Sequence, residues 1–267
     1  MVLEAIFPVK KIVKTPYDMF LLAAIISFAS IFISNMIFPG SSGGKIITLF
    51  ITASLAPVVY GIFRCEENVE RECAEHIGIK RNFIDRHEKA LKIFTLMFLG
   101  IFTSLFLVSI LLPTDFVQAT FGDQLSEIQR ITSIPTGNVL SPQILDVILW
   151  NNIRVMSLSF ALSLLIGVGA VVILAWNASI LALYLASFVN KGLYEEFMVR
   201  TISIIPHAPI EILGYFLAGI AGGMLSAGLI REKLWSKEFL LVFRDSGILM
   251  CLAVVAIVIG AFVEVFV

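Results

Sequence analysis

Seven long, nearly uncharged apolar stretches run through this chain, at 19–38, 46–63, 93–113, 155–176, 178–190, 208–230 and 246–266. Most approach the roughly 20 residues an α-helix needs to cross the hydrocarbon of a bilayer. In hydrocarbon the backbone must satisfy its own hydrogen bonds, which leaves helices as the only form for such segments. The chain is 58% hydrophobic and 15% charged over 267 residues, more apolar than a soluble core requires. The expected fold class is therefore all-α: a polytopic membrane bundle of six to seven segments. The fifth stretch is too short to cross alone, so one segment is expected to be short or broken. Residues 1–267 read as a single membrane domain, with an N-terminal helix pair at 17–63, a charged hairpin at 64–92 and a core at 93–267. The first stretch exceeds the usual signal core of about 7–15 residues and runs into Asn35 and Pro39-Gly40, not a small-residue cleavage site. It is expected to stay as an anchor.

Basic residues set the expected orientation. Lys10, Lys11 and Lys14 precede the first span; Arg64, Arg71, Lys80, Arg81, Arg86, Lys89 and Lys92 fill 64–92; Arg231, Lys233, Lys237 and Arg244 fill 231–244. The five others, Lys45, Arg130, Arg154, Lys191 and Arg200, lie on the alternate connections. The positive-inside rule then puts the N-terminus in the cytoplasm and the C-terminus outside the cell membrane. This requires 178–206 to cross once, as a short helix with an irregular continuation, rather than to dip in and return.

Other function classes are disfavoured. A net charge of −1 offers no concentrated basic face for nucleic acid. Cys65, Cys73 and Cys251 have neither the pairing of a disulfide framework nor metal-ligand spacing. No cofactor is implied, and the expected partners are the lipid bilayer and further copies of the chain or other membrane proteins.

Two connections stand out. In 64–92 the charges alternate at helical spacing, with Glu67 and Arg71 at i,i+4, which suits a cytoplasmic helical hairpin turning near Gly78. Such a hairpin is either a solvated charged face or a docking site for a partner. In 114–153, Phe116, Phe121, Leu125, Ile128 and Ile131 recur among Gln118, Asp123, Gln124, Glu127 and Gln129, as in an amphipathic interfacial helix. Pro135-Thr-Gly137-Asn138 should break it, Ser141-Pro142 should start a second helix, and Trp150 fits an interfacial anchor. These outer helices serve as a lid or grip a ligand.

Polar groups next to the apolar spans are the candidate site, because an ionisable group at membrane depth is costly and usually faces a partner or a water-filled cavity. Asn151, Asn152 and Arg154 stand at the start of the fourth span and Asn177 at its expected end, where an amide can cap the next helix. Residues 195–211 carry Glu195, Glu196, Arg200, His207 and Glu211, with Pro206 and Pro209. Glu195, Glu196 and Arg200 fit a charged helix end, and His207 fits a capping residue. Glu211 lies inside the apolar run, one turn after His207. It is expected to pair with an arginine, Arg154 above all, with Asn151 or Asn152 completing the site; the alternatives are a solute path and catalysis. Gly219, Gly222 and Gly223 give the sixth span a small-residue face for close helix packing and self-association.

The Asn151-Asn152 pair before a glycine-bearing span, Trp176-Asn177, and Pro206-His207-Ala-Pro209-Ile-Glu211 leading into a Gly/Ala-rich helix resemble the stage II sporulation protein M family of membrane proteins. The likeness covers about 95–265, with Ala208 and Ala178 where members typically carry glycine. It implies a multi-spanning bundle, and the better-known bacterial relatives act as a membrane platform for cell-wall-remodelling partners during engulfment. A rival likeness concerns one motif. Glu195-Glu196-x-x-x-Arg200 is similar to the opening signature of the membrane-embedded CAAX-type proteases, which would make Glu195 or Glu196 the activator of water, assisted by His207. That family needs two later histidine-bearing motifs, and the chain has no histidine beyond His207. The expected function is a non-enzymatic membrane scaffold or transporter-like subunit, against an intramembrane protease or a solute- or ion-conducting protein.

Overall fold

The computed structural model describes residues 12, 14–38, 43–75, 83–132 and 142–266. Among the described residues there are ten helices and no strand. They are α1 (Tyr17–Ile37), α2 (Gly44–Glu75), α3 (Phe83–Leu111), α4 (Thr114–Thr120), α5 (Gly122–Thr132), α6 (Pro142–Ile166), α7 (Ala170–Asn190), α8 (Tyr194–Ile204), α9 (Ala208–Arg231) and α10 (Lys237–Phe266). Seven of them, α1, α2, α3, α6, α7, α9 and α10, are long and apolar enough to cross a bilayer. Large apolar side chains such as Leu21, Ile25, Phe28, Leu165, Val255 and Phe262 remain exposed on the outside. That is the surface a bundle presents to lipid rather than to water. The protein is a multi-pass, all-α membrane protein.

The break between the fourth and fifth spans corrects the expectation. It falls at Gly167–Gly169, not at Trp176-Asn177. Gly167 has φ +77°, a left-handed backbone that costs an L-residue roughly 1–2 kcal/mol. The Ala170 N–H then donates to Ser163 Oγ over 2.8 Å, which closes the turn. Asn177 caps nothing: its Nδ2–H donates to the Ile173 carbonyl one turn back, over 2.7 Å, so it sits in mid-helix. The span it belongs to is a full 21 residues. The polar pair drew attention as a breaker, but a side chain that satisfies itself along its own helix breaks nothing.

The hydrophobic core is one continuous cluster from Ile12 to Ile257. Phe63, Phe94, Phe98 and Phe216 connect α2, α3 and α9 at its centre, with ring centroids 5.8–6.1 Å apart. The α9 helix is buried over nearly all its length, packed against α6 and α10. Its glycines permit this. A Cβ on Gly222 would stand 2.3 Å from the Phe160 carbonyl oxygen, one on Gly219 2.5 Å from the Ala170 Cβ, and one on Gly223 2.4 Å from the Phe63 ring. The small-residue face is thus filled by the chain's own helices, and the expected self-association through it has no free surface to use.

Side-chain contacts define the two ends of the bundle. At one, Asn190 Nδ2 donates to the Ser109 carbonyl over 2.8 Å, Thr120 Oγ1 to Asn35 Oδ1 over 3.1 Å, and Lys45 Nζ pairs with Asp123 at 3.2 Å. At the other, His87 Nε2 lies 3.9 Å from Asp245 Oδ2, and Arg244 pairs with Asp245 at 3.2 Å. The bases of the 64–92 and 231–244 segments therefore share one end, opposite α4 and α5. The α2 helix continues beyond its apolar part to Glu75 and α3 begins at Phe83. The expected turn at Gly78, the Glu67–Arg71 pair, Cys65 and Cys73 lie outside the described residues or side chains, as do Pro135-Thr-Gly137-Asn138 and Ser141.

The outer amphipathic stretch is divided at Phe121, which is fully buried, into α4 and α5. Gln124, expected on the polar face, is fully buried as well and donates Nε2–H to Ser179 Oγ over 3.3 Å. The short α8 docks through Phe197 on Phe106, ring centroids 6.2 Å apart.

Candidate functional site

A cavity of about 300 Å³ opens among α5, α6, α7, α9 and α10 at the α4–α5 end. Its polar lining consists of Asn151, Asn152, Asn177, Tyr184, Glu211, Tyr215 and Glu264, roofed by Ile128, Ile131 and Thr132 of α5. Asn152 is the hub. Its Nδ2–H donates to Glu211 Oε1 over 2.7 Å, and its Oδ1 accepts from the Tyr215 hydroxyl over 2.8 Å and from Asn151 Nδ2 over 3.3 Å. Asn152, Glu211 and Tyr215 are at most 9% exposed.

On its other side Glu211 faces Glu264 of α10, and the two carboxyls line the same cavity. Two carboxyls brought together in this way can share one proton, which one donates and the other accepts. Gly260, one turn before Glu264, provides the room: a Cβ there would stand 2.4 Å from Glu211 Cγ. Among the described residues no Lys, Arg or His lines the cavity.

The expected Glu211–Arg154 ion pair is not formed. Arg154 is two residues from Asn152, and side chains at that spacing face different directions on a helix. Arg154 lines an adjoining cavity of about 530 Å³ with Glu127, Arg130 and Trp176, which shares Ile131, Asn151, Asn177 and Ile180 with the Glu211 cavity. The Arg130 hydrogen bond holds Glu127 below the usual carboxylate range against desolvation, with the Arg130 and Arg154 charges helping. Of the polar cluster read from the sequence, Asn151, Asn152, Asn177 and Glu211 come together; Arg154 and His207 do not join them.

The Glu195-Glu196-x-x-x-Arg200 group is placed elsewhere. All three residues are exposed on α8, and none lines the Glu211 cavity. His207 precedes α9, with its backbone carbonyl accepting from the Ile210 and Glu211 N–H groups. Its ring is half-buried; burial lowers its pKa, partly offset by the nearby Ser203 backbone. Among the described residues no group of three or more His, Cys, Asp or Glu could hold a metal ion.

Sequence reasoning missed Tyr215, Glu264 and Gly260. Tyr215 is one turn after Glu211, and Glu264 is a lone carboxylate in the last apolar span, so the intramembrane-charge rule applied to both helices would have paired Glu264 with Glu211.

The family model described as Stage II sporulation protein M matches residues 93–267, which include every polar group of this cavity. No curated protein and no solved structure matches the chain.

Proposed function

Since this chain belongs to the stage II sporulation protein M family, we propose that it works as a non-enzymatic, transporter-like membrane subunit that takes up a cation or a proton at the Glu211–Glu264 pair. The observation that carries this reading is the carboxyl pair itself, facing one cavity beside Asn152 with no Lys, Arg or His among its described lining residues. Carboxylates inside spans that face a cavity rather than a countercharge mark ion or proton paths. In the orientation the basic residues favour, with the N-terminus cytoplasmic and the C-terminus outside, the cavity opens in the outer half of the membrane. The test is flux in liposomes holding the purified protein: protons and methylammonium should move down an imposed gradient, and Glu211→Gln and Glu264→Gln should each reduce the flux about tenfold. Flux no greater than in empty liposomes rejects the reading.

A scaffold role is favoured by a different observation, the helical extension of α2 to Glu75 beyond its apolar span. A charged helical projection there would suit a partner protein. Its test is a defined interaction partner whose crosslinks to 64–92 vanish when the charges of that segment are reversed. Any self-association would use the lipid-facing sides of the outer spans, since the small face of α9 is filled.

A further inference from the structure

A second cavity, of about 400 Å³, lies between α3, α7, α8 and α9 and is walled almost entirely by apolar side chains. Phe98, Leu99, Phe102, Leu185, Leu213 and Phe216 make up most of the wall. Its two hydroxyls are already engaged: Thr95 Oγ1 donates to the Leu91 carbonyl over 2.9 Å and Thr201 Oγ1 to the Phe197 carbonyl over 2.7 Å. Phe98, Leu181, Ile204, Ala208 and Ile212 line this cavity and the carboxyl cavity alike, so the two adjoin along one wall. The rim reaches the lipid-facing surface, where Leu99 is 43%, Leu213 40% and Ile205 60% exposed.

Extending the cation reading of the Glu211–Glu264 pair, we propose that the two cavities form one bipartite site for a single-chain amphiphile with a protonated primary amine head. The ammonium sits at Glu211, Glu264 and Asn152, and the alkyl tail fills the apolar cavity. Charge complementarity selects this occupant. The described lining of the polar half offers carboxyl and amide oxygens and no Lys, Arg or His, Arg130 and Arg154 lying in the adjoining cavity beyond Asn151 and Asn177, so a phosphate or carboxylate head at Glu211 and Glu264 would meet like charge. A primary ammonium brings three N–H donors to those acceptors, whereas a quaternary ammonium brings none. The tail cavity has no free polar group and takes one hydrocarbon chain from the bilayer side.

The experiment uses the full chain in lipid nanodiscs and dodecylamine carrying a terminal diazirine as the photoprobe. Crosslinks are expected on the tail-cavity segments around Leu99 and Leu213. Unlabelled dodecylamine should compete, with dodecanol, dodecanoic acid and dodecyltrimethylammonium each at least about tenfold weaker. Glu264→Gln should weaken probe binding by a similar factor, and Leu213→Trp, at the half-open rim, should abolish labelling there while leaving the melting curve in place. Equal competition by the alcohol, or crosslinks spread over the whole lipid-facing surface, overturns the proposal; the competition series decides even if Glu264→Gln unfolds. Because binding is read without flux, a protein that binds the amine and moves no ion rejects transport alone, and one that conducts but ignores the amine rejects only the amphiphile.

Discussion

Asn152 on α6 donates its side-chain N–H to Glu211 Oε1 on α9 over 2.7 Å, linking residues 59 positions apart in sequence. The same amide accepts from Tyr215, one turn further along α9. One side chain thereby orients both polar groups of the neighbouring helix, and α6 and α9 are tied at the level of the cavity.

Asn152→Ala should therefore destabilise the protein by about 1–3 kcal/mol, the cost of leaving a buried partner unsatisfied. In a double-mutant cycle with Glu211→Gln, read as melting in detergent, the Asn152–Glu211 coupling should lie at about 0.5–3 kcal/mol. Arg154→Gln should change stability by no more than about 0.5 kcal/mol and add independently to Glu211→Gln. Strong coupling of Arg154 to Glu211 would contradict the observed geometry.

Gly222 and Gly247 make opposite predictions for the same substitution. A Cβ at Gly222 meets the Phe160 carbonyl oxygen at 2.3 Å, which only a backbone shift can relieve, so Gly222→Ala should cost about 1–3 kcal/mol. Gly247, inside α10, has nothing within 4 Å of its Cβ position, and Gly247→Ala should stabilise by about 0.5–1 kcal/mol through helix propensity. Melting temperatures of the two variants should move in opposite directions.

The turn at Gly167 should be more sensitive than the amide at Asn177. Gly167→Ala places a side chain at φ +77° and should lose about 1–2 kcal/mol. Asn177→Ala removes a bond within α7 and should leave the span uncut in limited proteolysis. Cleavage near 177 in either protein would restore a break at that point.

Acid should weaken the folded state partly through His207. Its ordinary value is 6.5, and burial lowers it in the folded protein. The unfolded chain therefore takes up the proton first. Stability is unaffected by this group well above 6.5 and falls as pH drops through 6.5 toward the lower folded value. His207→Gln should melt with a shallower loss on acidification than the parent, the two curves running parallel near pH 8. Parallel curves at every pH would show that His207 titrates alike folded and unfolded.

Orientation is open to cysteine labelling in a background without Cys65, Cys73 and Cys251. Gln129 and Lys237 are both exposed, on opposite ends of the bundle. An impermeant maleimide applied to intact cells should label Gln129→Cys and spare Lys237→Cys. The reverse pattern would invert the protein in the membrane.

The sequence by itself determined what depends on local composition. Apolar runs dictate helices because hydrocarbon offers the backbone no other partner, and the grouping of Lys and Arg anticipated that 64–92 and 231–244 share an end. It also singled out Asn152 and Glu211, since a polar group in such a run is conspicuous without any fold. Tertiary structure decided which polar groups meet. Asn152 and Arg154 are near neighbours in the chain, but 100° of rotation per residue points them into different cavities, and only the packing of α9 on α6 selects the asparagine. Glu264 meets Glu211 because Gly260 lets α10 come close, a contact that depends on the approach of two helices rather than on spacing along either. The break at Gly167 instead of Asn177 has the same origin: an amide can satisfy itself within its helix, whereas a left-handed turn needs a residue without a Cβ.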